Sequence, residues 1–344
     1  MPMHPGTDER DAVMPETMKA MVLVQQRRPL ELRQVPVPEP GPGEVLIKVE
    51  ACGVCRTDLH ILDGELAHPK LPLIPGHEII GRIAGLGPGA GTYPLGTRVG
   101  VPWLARSCGV CRYCGKGLEN LCLKAKFTGY HLDGGYAEYC TAAEDYIYPV
   151  PKGYEAVSAA PLLCAGLIGY RSYAMASEAE RLGLYGFGAA AHIIIQVALH
   201  DGKQVFAFTR DGDTEKQRFA MKLGAKWAGG SSQLPPEPLD AAIIFAPAGP
   251  LVPQALKALD RGGTLVCAGI YMSDIPSFSY EDLWWEKKIL SVANLTRQDG
   301  HGFMEAASRI SIKTETIPYP LEDANRALED LRSGRIKGAA VLVP

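Results

Sequence analysis

An excess of either charge is missing from this chain. Thirty-five Lys and Arg stand against 38 Asp and Glu, a formal net charge of −3. That balance lays down no electrostatic footprint for nucleic acid or an anionic membrane surface. Long apolar runs are missing too. The greasiest stretch, Ala189 to Leu199, is broken by His192 and Gln196, and it falls short of the roughly 18–20 residues that span a bilayer. The first residues, MPMHPGTDERDAVMPET, have no apolar core of a signal peptide. They read as a mobile leader over 1–17, with the ordered protein expected from Met18. With no export signal, the 9 cysteines, an odd count, argue against a disulfide framework and for metal binding or buried free thiols. The expected setting is the cytoplasm.

What is present is glycine, proline and apolar material. The 344 residues include 38 Gly and 27 Pro, and 47% are hydrophobic, enough for about two domains. Residues 18–155 are dense in turns and short β-type runs: MKAMVLV, EVLIKVEACGV and IIGRIAGLG. They predict an irregular, mostly β domain. From about 156 to 294 apolar strands alternate with helices: KQVFAFTR, DTEKQRFAMKLGA, LDAAIIFAP, LVPQALKALDRG, GGTLVCAGI. That alternation predicts an α/β unit with a doubly wound parallel sheet. Residues 295–344 hold one helix, LEDANRALEDLRSG, and a last strand, GAAVLVP, expected to return to the first domain.

Three clusters carry chemistry. In LGLYGFGAAAH, Gly186 and Gly188 follow an apolar strand and Ala191 takes the third place of a GxGxxA turn. Such a turn brings a pyrophosphate onto the backbone at a helix N-terminus. The next strand ends at Thr209 and Arg210 in place of an acidic residue. A hydroxyl and a guanidinium suit a 2′-phosphate, so NADP is expected over NAD. On the alternative reading Arg210 points into solvent and Asp211 or Asp213 reaches the ribose. The second cluster is SCGVCRYCGKGLENLC, with Cys108, Cys111, Cys114 and Cys122 spaced as in a closed tetrahedral zinc site. A closed site leaves no position for substrate. The third is scattered: Cys55, Thr57, Asp58 and His60 in ACGVCRTDLH, His77 and Glu78 in IPGHEIIG, and Cys164 in APLLCAGL. Cys55, His77 and Cys164 would make a three-ligand catalytic zinc set. Cys164 sits on an apolar helical face, where a buried structural cysteine is the commoner explanation.

Taken together, CGVCRTDLH, PGHE, the four-cysteine loop, DGGYAEY, PLLCAG and the glycine turn, in that order, resemble the zinc-dependent alcohol dehydrogenases of the medium-chain dehydrogenase/reductase superfamily. The resemblance runs from about Met18 to the C-terminus. It lies nearest the bacterial branch with a VPW-type segment, here 101–103. It implies a GroES-like catalytic domain and a Rossmann domain. It implies two zinc ions per chain: a catalytic one on Cys55, His77 and Cys164 with Glu78 beside it, and a structural one on the four-cysteine loop. Asp58 is then the partner that orients His77. Thr57 bonds the alkoxide, and His60 is the outer member of a proton relay through the cofactor ribose. Trp103 becomes a wall of the substrate pocket. Leu66 stands where relatives for very small alcohols carry a bulky aromatic, which favours medium-chain or aromatic primary alcohols. Ile270, Arg297 and its neighbours Thr296 and Asp299 border the cofactor. A C-terminal GRxV signature common in relatives is replaced here, with Ala339 in the Arg position. The family's habit of pairing the last strands of the nucleotide domains implies a homodimer or homotetramer. Rival readings are a polyol or threonine dehydrogenase, a zinc-free quinone or enoyl reductase, and a zinc-binding scaffold with an inactive dehydrogenase fold.

Overall fold

The structure, a computed structural model, describes residues 14–336 and 338–344. Most of the expected leader, residues 1–13, lies outside the described residues. Met14 to Glu16 are exposed, and the first strand starts at Thr17.

The first part is built on strands. β1 (Thr17–Val22) and β2 (Glu31–Pro36) form an antiparallel pair. Then come β3 (Glu44–Val54), helix α1 (Arg56–Leu62), β4 (Glu78–Leu86) and β5 (Arg98–Val101). Two short strands, β6 (Leu104–Arg106) and β7 (Lys126–Phe127), bracket the four-cysteine lobe and pair with each other. β8 (Tyr139–Ala143) and β9 (Tyr148–Pro149) finish this part. β3 is long and largely buried, and it pairs with both β4 and β8.

Helices α2 (Ala156–Ala159) and α3 (Ala165–Ala174) lead into the second sheet. Its elements are β10 (Arg181–Tyr185), α4 (Ala189–His200), β11 (Gln204–Thr209), α5 (Thr214–Leu223), β12 (Trp227–Gly230), β13 (Leu239–Ile244), α6 (Leu251–Ala258), β14 (Leu259–Cys267), α7 (Tyr280–Leu283) and β15 (Lys288–Ser291). The strands run parallel in the order β12-β11-β10-β13-β14-β15. β10, β11 and β13 are almost wholly buried, as a sheet covered on both faces requires. This is the Rossmann arrangement. The order reverses between β10 and β13, and that switch point opens a crevice at their C-terminal ends.

The chain then returns. α8 (Arg297–Arg309), β16 (Thr316–Pro320), α9 (Ala324–Arg332) and β17 (Ala339–Val343) close it. β17 lies antiparallel beside β3, with Ala340 opposite Val54 and Leu342 opposite Cys52. The first sheet therefore reads β16-β17-β3-β4-β5-β9, with β8 on β3. Ala339 opens β17 and donates its N–H to Glu315 O at 2.8 Å.

Candidate active site and metal centres

Cys55 sits at the start of α1, in extended backbone. Asp58, one turn on, accepts the Cys55 N–H on Oδ2 at 2.8 Å, which satisfies a donor the helix end leaves free. The same oxygen accepts the Tyr136 hydroxyl at 3.0 Å. The other oxygen lies 3.3 Å from His77 Nδ1, an ion-pair approach whose alignment falls short of a hydrogen bond.

His77 arrives through a tight passage. Gly76 has φ +96, and a Cβ there would strike the Tyr136 ring and lie 2.8 Å from Cys52 Sγ. Only glycine lets the backbone through and delivers His77 and Glu78 to the head of β4. Cys164 comes from the other side. The sequence placed it on a helical face; the structure places it at a break. A 3₁₀ turn over Ala160–Leu163 ends there, Cys164 has φ −127 and ψ −72, and α3 begins at the next residue. The break turns its thiol to within 3.7 Å of Cys55 Sγ.

Ligand atoms of Cys55, His77, Glu78 and Cys164 all lie within 4.8 Å of one another. His77 is wholly buried, and its Nε2, pointing away from Asp58, has no hydrogen-bond partner. An orphaned buried ring nitrogen beside two thiols and a carboxyl is costly without a cation. Protonation shows the same frustration. The hydrogen bond from Cys164 holds Cys55 well below the usual thiol range against burial, with His77 adding to it. That bond and burial push Cys164 well up. Burial lowers His77, yet Asp58 and Cys55 outweigh it and hold the imidazole well above its usual range. Burial, then the Cys55 charge, pushes Glu78 well up. The donors share protons where a divalent ion would replace them, and softness and number suit zinc.

The four-cysteine lobe gathers Cys108, Cys111, Cys114 and Cys122 within the same 4.8 Å limit. All nine cysteines are free thiols. The Val110 and Cys111 N–H groups aim at Cys108 and draw it down to about 6. Cys122 Sγ accepts the N–H of Cys108 and of Lys124, each at 3.4 Å. Backbone donors turned on these sulfurs complete the fit to a tetrahedral metal.

Thr57 and His60, three apart on α1, share a face. The Thr57 hydroxyl is 3.7 Å from Cys55 Sγ. His60 Nδ1 contacts the Glu65 carboxylate. Trp103 meets His77 edge-on at 5.0 Å and stacks on Phe127 at 5.0 Å and Tyr130 at 5.8 Å. Phe127 and Tyr130 were not singled out in the sequence, where nothing marks them as neighbours of Trp103. Leu66 is half-buried on the same apolar core.

At the crevice, Gly186 has φ +86, and a Cβ there would lie 2.7 Å from that of Ala246. Gly188 caps α4 and faces open space. Ala191 is fully buried. Gly269 closes the far side, where a Cβ would lie 2.8 Å from Ala246 O, and Ile270 next to it is exposed.

Two residues expected at the cofactor have side chains bonded within the protein. The Thr209 side chain turns inward: its hydroxyl donates to Arg210 O at 3.0 Å and accepts from Gln217 Nε2 at 3.1 Å. Arg297 is bound elsewhere, its Nε and backbone N–H both on Glu119 Oε1 of the four-cysteine lobe, at 3.1 and 2.8 Å. Thr296 and Asp299 cap α8, and Asp299 also pairs with Arg171 at 2.5 Å. Arg210 itself is exposed. Asp213 is spent capping α5 and Asp211 bonds Ser232 N–H at 3.2 Å, so neither alternative ribose partner stands free.

A dinucleotide-type turn at the switch point of the sheet, together with a buried thiol–imidazole–carboxylate cluster, marks the class of metal-dependent oxidoreductases. Comparison with known proteins carries this further. Residues 41–152 match the alcohol dehydrogenase GroES-like domain. A probable alcohol dehydrogenase, AdhA, of Mycobacterium tuberculosis is 46% identical, over 96% of this chain and 99% of its own. Among solved structures, acetophenone reductase from Geotrichum candidum in complex with NAD is 30% identical with TM-score 0.84, covering 97% of this chain and 99% of that one. CAD from Helicobacter pylori complexed with NADP(H) is 26% identical with TM-score 0.84, covering 96% and 99%. The chain belongs to the zinc-dependent alcohol dehydrogenases of the medium-chain dehydrogenase/reductase superfamily.

Proposed function

We propose that the protein transfers hydride reversibly between a primary alcohol, medium-chain or aromatic, and a nicotinamide dinucleotide. The observation that carries this is the buried cluster of Cys55, His77, Glu78 and Cys164 with an orphaned His77 Nε2. These residues would hold one zinc, and Cys108, Cys111, Cys114 and Cys122 a second. Bound zinc supplies a Lewis acid that makes an alcohol acidic near neutral pH, and the dinucleotide supplies the hydride carrier.

The chain's own residues do the rest. Asp58 fixes the His77 ring so that Nε2 faces the thiols. The Thr57 hydroxyl bonds the alcohol oxygen, and His60, further along α1, passes a proton outward. The wall of Trp103, Phe127 and Tyr130 excludes water and receives the apolar body of the alcohol; such a wall disfavours a polyol. The turn Gly186–Gly188 and the N-terminus of α4 hold a pyrophosphate. Arg210, exposed beside the end of β11 with both nearby aspartates engaged, favours the 2′-phosphate of NADP.

Sheet membership supports the division into 18–155, 156–294 and 295–344. Nine unbridged thiols suit a cytoplasmic setting. Edge strand β15, with Leu290, Trp284 and Trp285 exposed, supports pairing of two copies into a dimer.

The test is the initial rate of benzyl alcohol oxidation by zinc-loaded protein with NAD and NADP side by side. Turnover with higher kcat/KM for NADP is expected. Two zinc per chain with no hydride transfer from any alcohol in a chain-length and aromatic series would instead leave a zinc-binding scaffold.

A further inference from the structure

His60 is held from two sides, and neither holder is part of the metal cluster. The first is Glu65. After α1 the chain folds back, with the N–H groups of Glu65 and Leu66 both donating to His60 O at 3.0 and 3.1 Å. That hook sets the Glu65 carboxylate against His60 Nδ1. The other carboxylate nearby, Asp63, is taken by Arg332 at 2.6 Å. The second holder comes from the opposite sheet. Tyr271, in the loop after β14, lays its ring on the His60 ring, centroids 4.8 Å apart and tilted 42°. Its hydroxyl donates to Glu65 O at 3.2 Å.

The Tyr271 loop is anchored at both ends. Ala268 N–H donates to Ile244 O at 2.8 Å, and the Ser273 hydroxyl accepts from Gly249 N–H at 3.0 Å. Between these points Tyr271 takes φ +50, a left-handed backbone that a bulky residue rarely adopts. Half of Tyr271 is exposed, yet the His60 side chain beneath is only 14% exposed.

From this geometry we infer that Glu65 and Tyr271 are positioning residues that clamp His60 across the cleft. Glu65 binds Nδ1 and so leaves Nε2 to carry the travelling proton. The proton accepted at Nε2 is passed to water or buffer, and His60 returns to its starting state. Tyr271 covers one face of the ring and resists its rotation, leaving the ring edge open to water. It lies on the loop that follows β14 of the nucleotide sheet, so this half of the clamp forms only where that loop meets α1. This rests on the reading of His60 as the outer proton carrier.

The experiment uses zinc-loaded full-length protein and two readouts. The first is the rate of His60 carbethoxylation by diethyl pyrocarbonate, followed by peptide mass spectrometry, with exposed His68 as the internal reference. Tyr271→Ala is expected to speed His60 labelling about fivefold or more relative to His68, and Tyr271→Phe, which keeps the ring, to stay within about twofold. The second is kcat for benzyl alcohol oxidation in a double-mutant cycle. Tyr271→Ala and Glu65→Gln are each expected to lower kcat several-fold in wild type and to have no further effect on His60→Gln. Unchanged His60 labelling in Tyr271→Ala overturns the clamp. So does an equal loss in the His60→Gln background, which means Tyr271 acts elsewhere. A His60→Gln variant at wild-type rate overturns the relay itself, and with it the clamp's role in the reaction; that result is told apart because it needs no Tyr271 variant.

Discussion

Changing Asp58 to asparagine alters one charge and almost no volume, at a position that is fully buried. Oδ2 receives two donors, Cys55 N–H at 2.8 Å and the Tyr136 hydroxyl at 3.0 Å. An asparagine that keeps its oxygen there must put its NH₂ where Oδ1 now faces His77 Nδ1 at 3.3 Å. Two N–H groups then oppose each other. The imidazole escapes by moving its proton to Nε2, the nitrogen that has no other partner and that a metal needs. If the amide flips, Cys55 N–H and the Tyr136 hydroxyl lose their acceptor, about 1–3 kcal/mol for each buried orphan. Partners of metal-bound histidines typically contribute about 10- to 100-fold in affinity or activity, or about 1.4–2.7 kcal/mol. We expect the upper end, because the loss is fully buried. The assay is competition for zinc with a chromophoric chelator, with benzyl alcohol turnover in parallel. Asp58→Asn should keep the zinc of the four-cysteine lobe, an internal control, and lose the other with turnover. Tyr136→Phe removes one donor but keeps the charge, so it should cost about 1.5 kcal/mol, the low end for a bond to a charged group. Retention of both zinc ions by Asp58→Asn with affinity unchanged would refute the tautomer argument.

Four further outcomes are expected. His60→Gln should slow alcohol oxidation, with rescue by small buffer bases; a rate and buffer dependence identical to wild type removes His60 from the proton path. Arg210→Ala should cut the NADP-to-NAD ratio of kcat/KM by about ten- to a hundredfold, the worth of a charge-assisted bond, while Thr209→Val, whose hydroxyl faces inward, should leave it within about twofold; the reverse ranking refutes the assignment. Burial pushes the Cys140 thiol from 9.0 up to about 12. Below pH 9 folded and unfolded states both keep the proton. Above it the unfolded chain releases it first, so stability falls by about 1.4 kcal/mol per pH unit until the folded thiol ionises. Denaturant melts of Cys140→Ala between pH 9 and 10.5 should show that slope relieved, and an unchanged slope counts against it. Finally, Gly300→Ala gains about 1 kcal/mol of helix propensity but drives a methyl into the Tyr148 ring, with Oη 2.5 Å away. Overpacking of about 1–3 kcal/mol should win, and a raised Tm would show that α8 has room to shift.

Legibility followed the physics of each signal. The parallel sheet was readable because β10, β11 and β13 are buried on both faces and so carry unbroken apolar runs. The glycine turn was readable because its backbone demand excludes other residues. Cys164 was misplaced for a definite reason: AVSAAPLLCAGL has helical composition throughout, and composition does not show where a 3₁₀ turn gives way to a new helix. Thr209 and Arg297 show a second kind of limit. Both are polar residues at element ends, and polarity does not say whether a hydroxyl turns to solvent or to Gln217, or whether a guanidinium meets a phosphate or Glu119. Tyr271 carries no local signal, because its partners Glu65 and His60 lie more than two hundred residues away.

The residues that the structure gathers into the candidate site share a kind of position. Cys55 stands at a helix start, His77 at a strand head, Cys164 at a helix break and Gly186 at a strand end. Each functional group is placed by a terminus, where backbone direction changes and a single hydrogen bond decides where a side chain goes. The strands between them supply rigidity alone. It follows that variants inside elements, such as Cys140→Ala and Gly300→Ala, should move stability and leave zinc content intact. Variants at termini, such as Asp58→Asn, should move zinc content and turnover, with a change in Tm no larger than removal of that zinc from the unsubstituted protein produces. A set of variants in which the two effects rise and fall together would mean that the sheets and the site are one cooperative unit, and that position along an element says nothing about role.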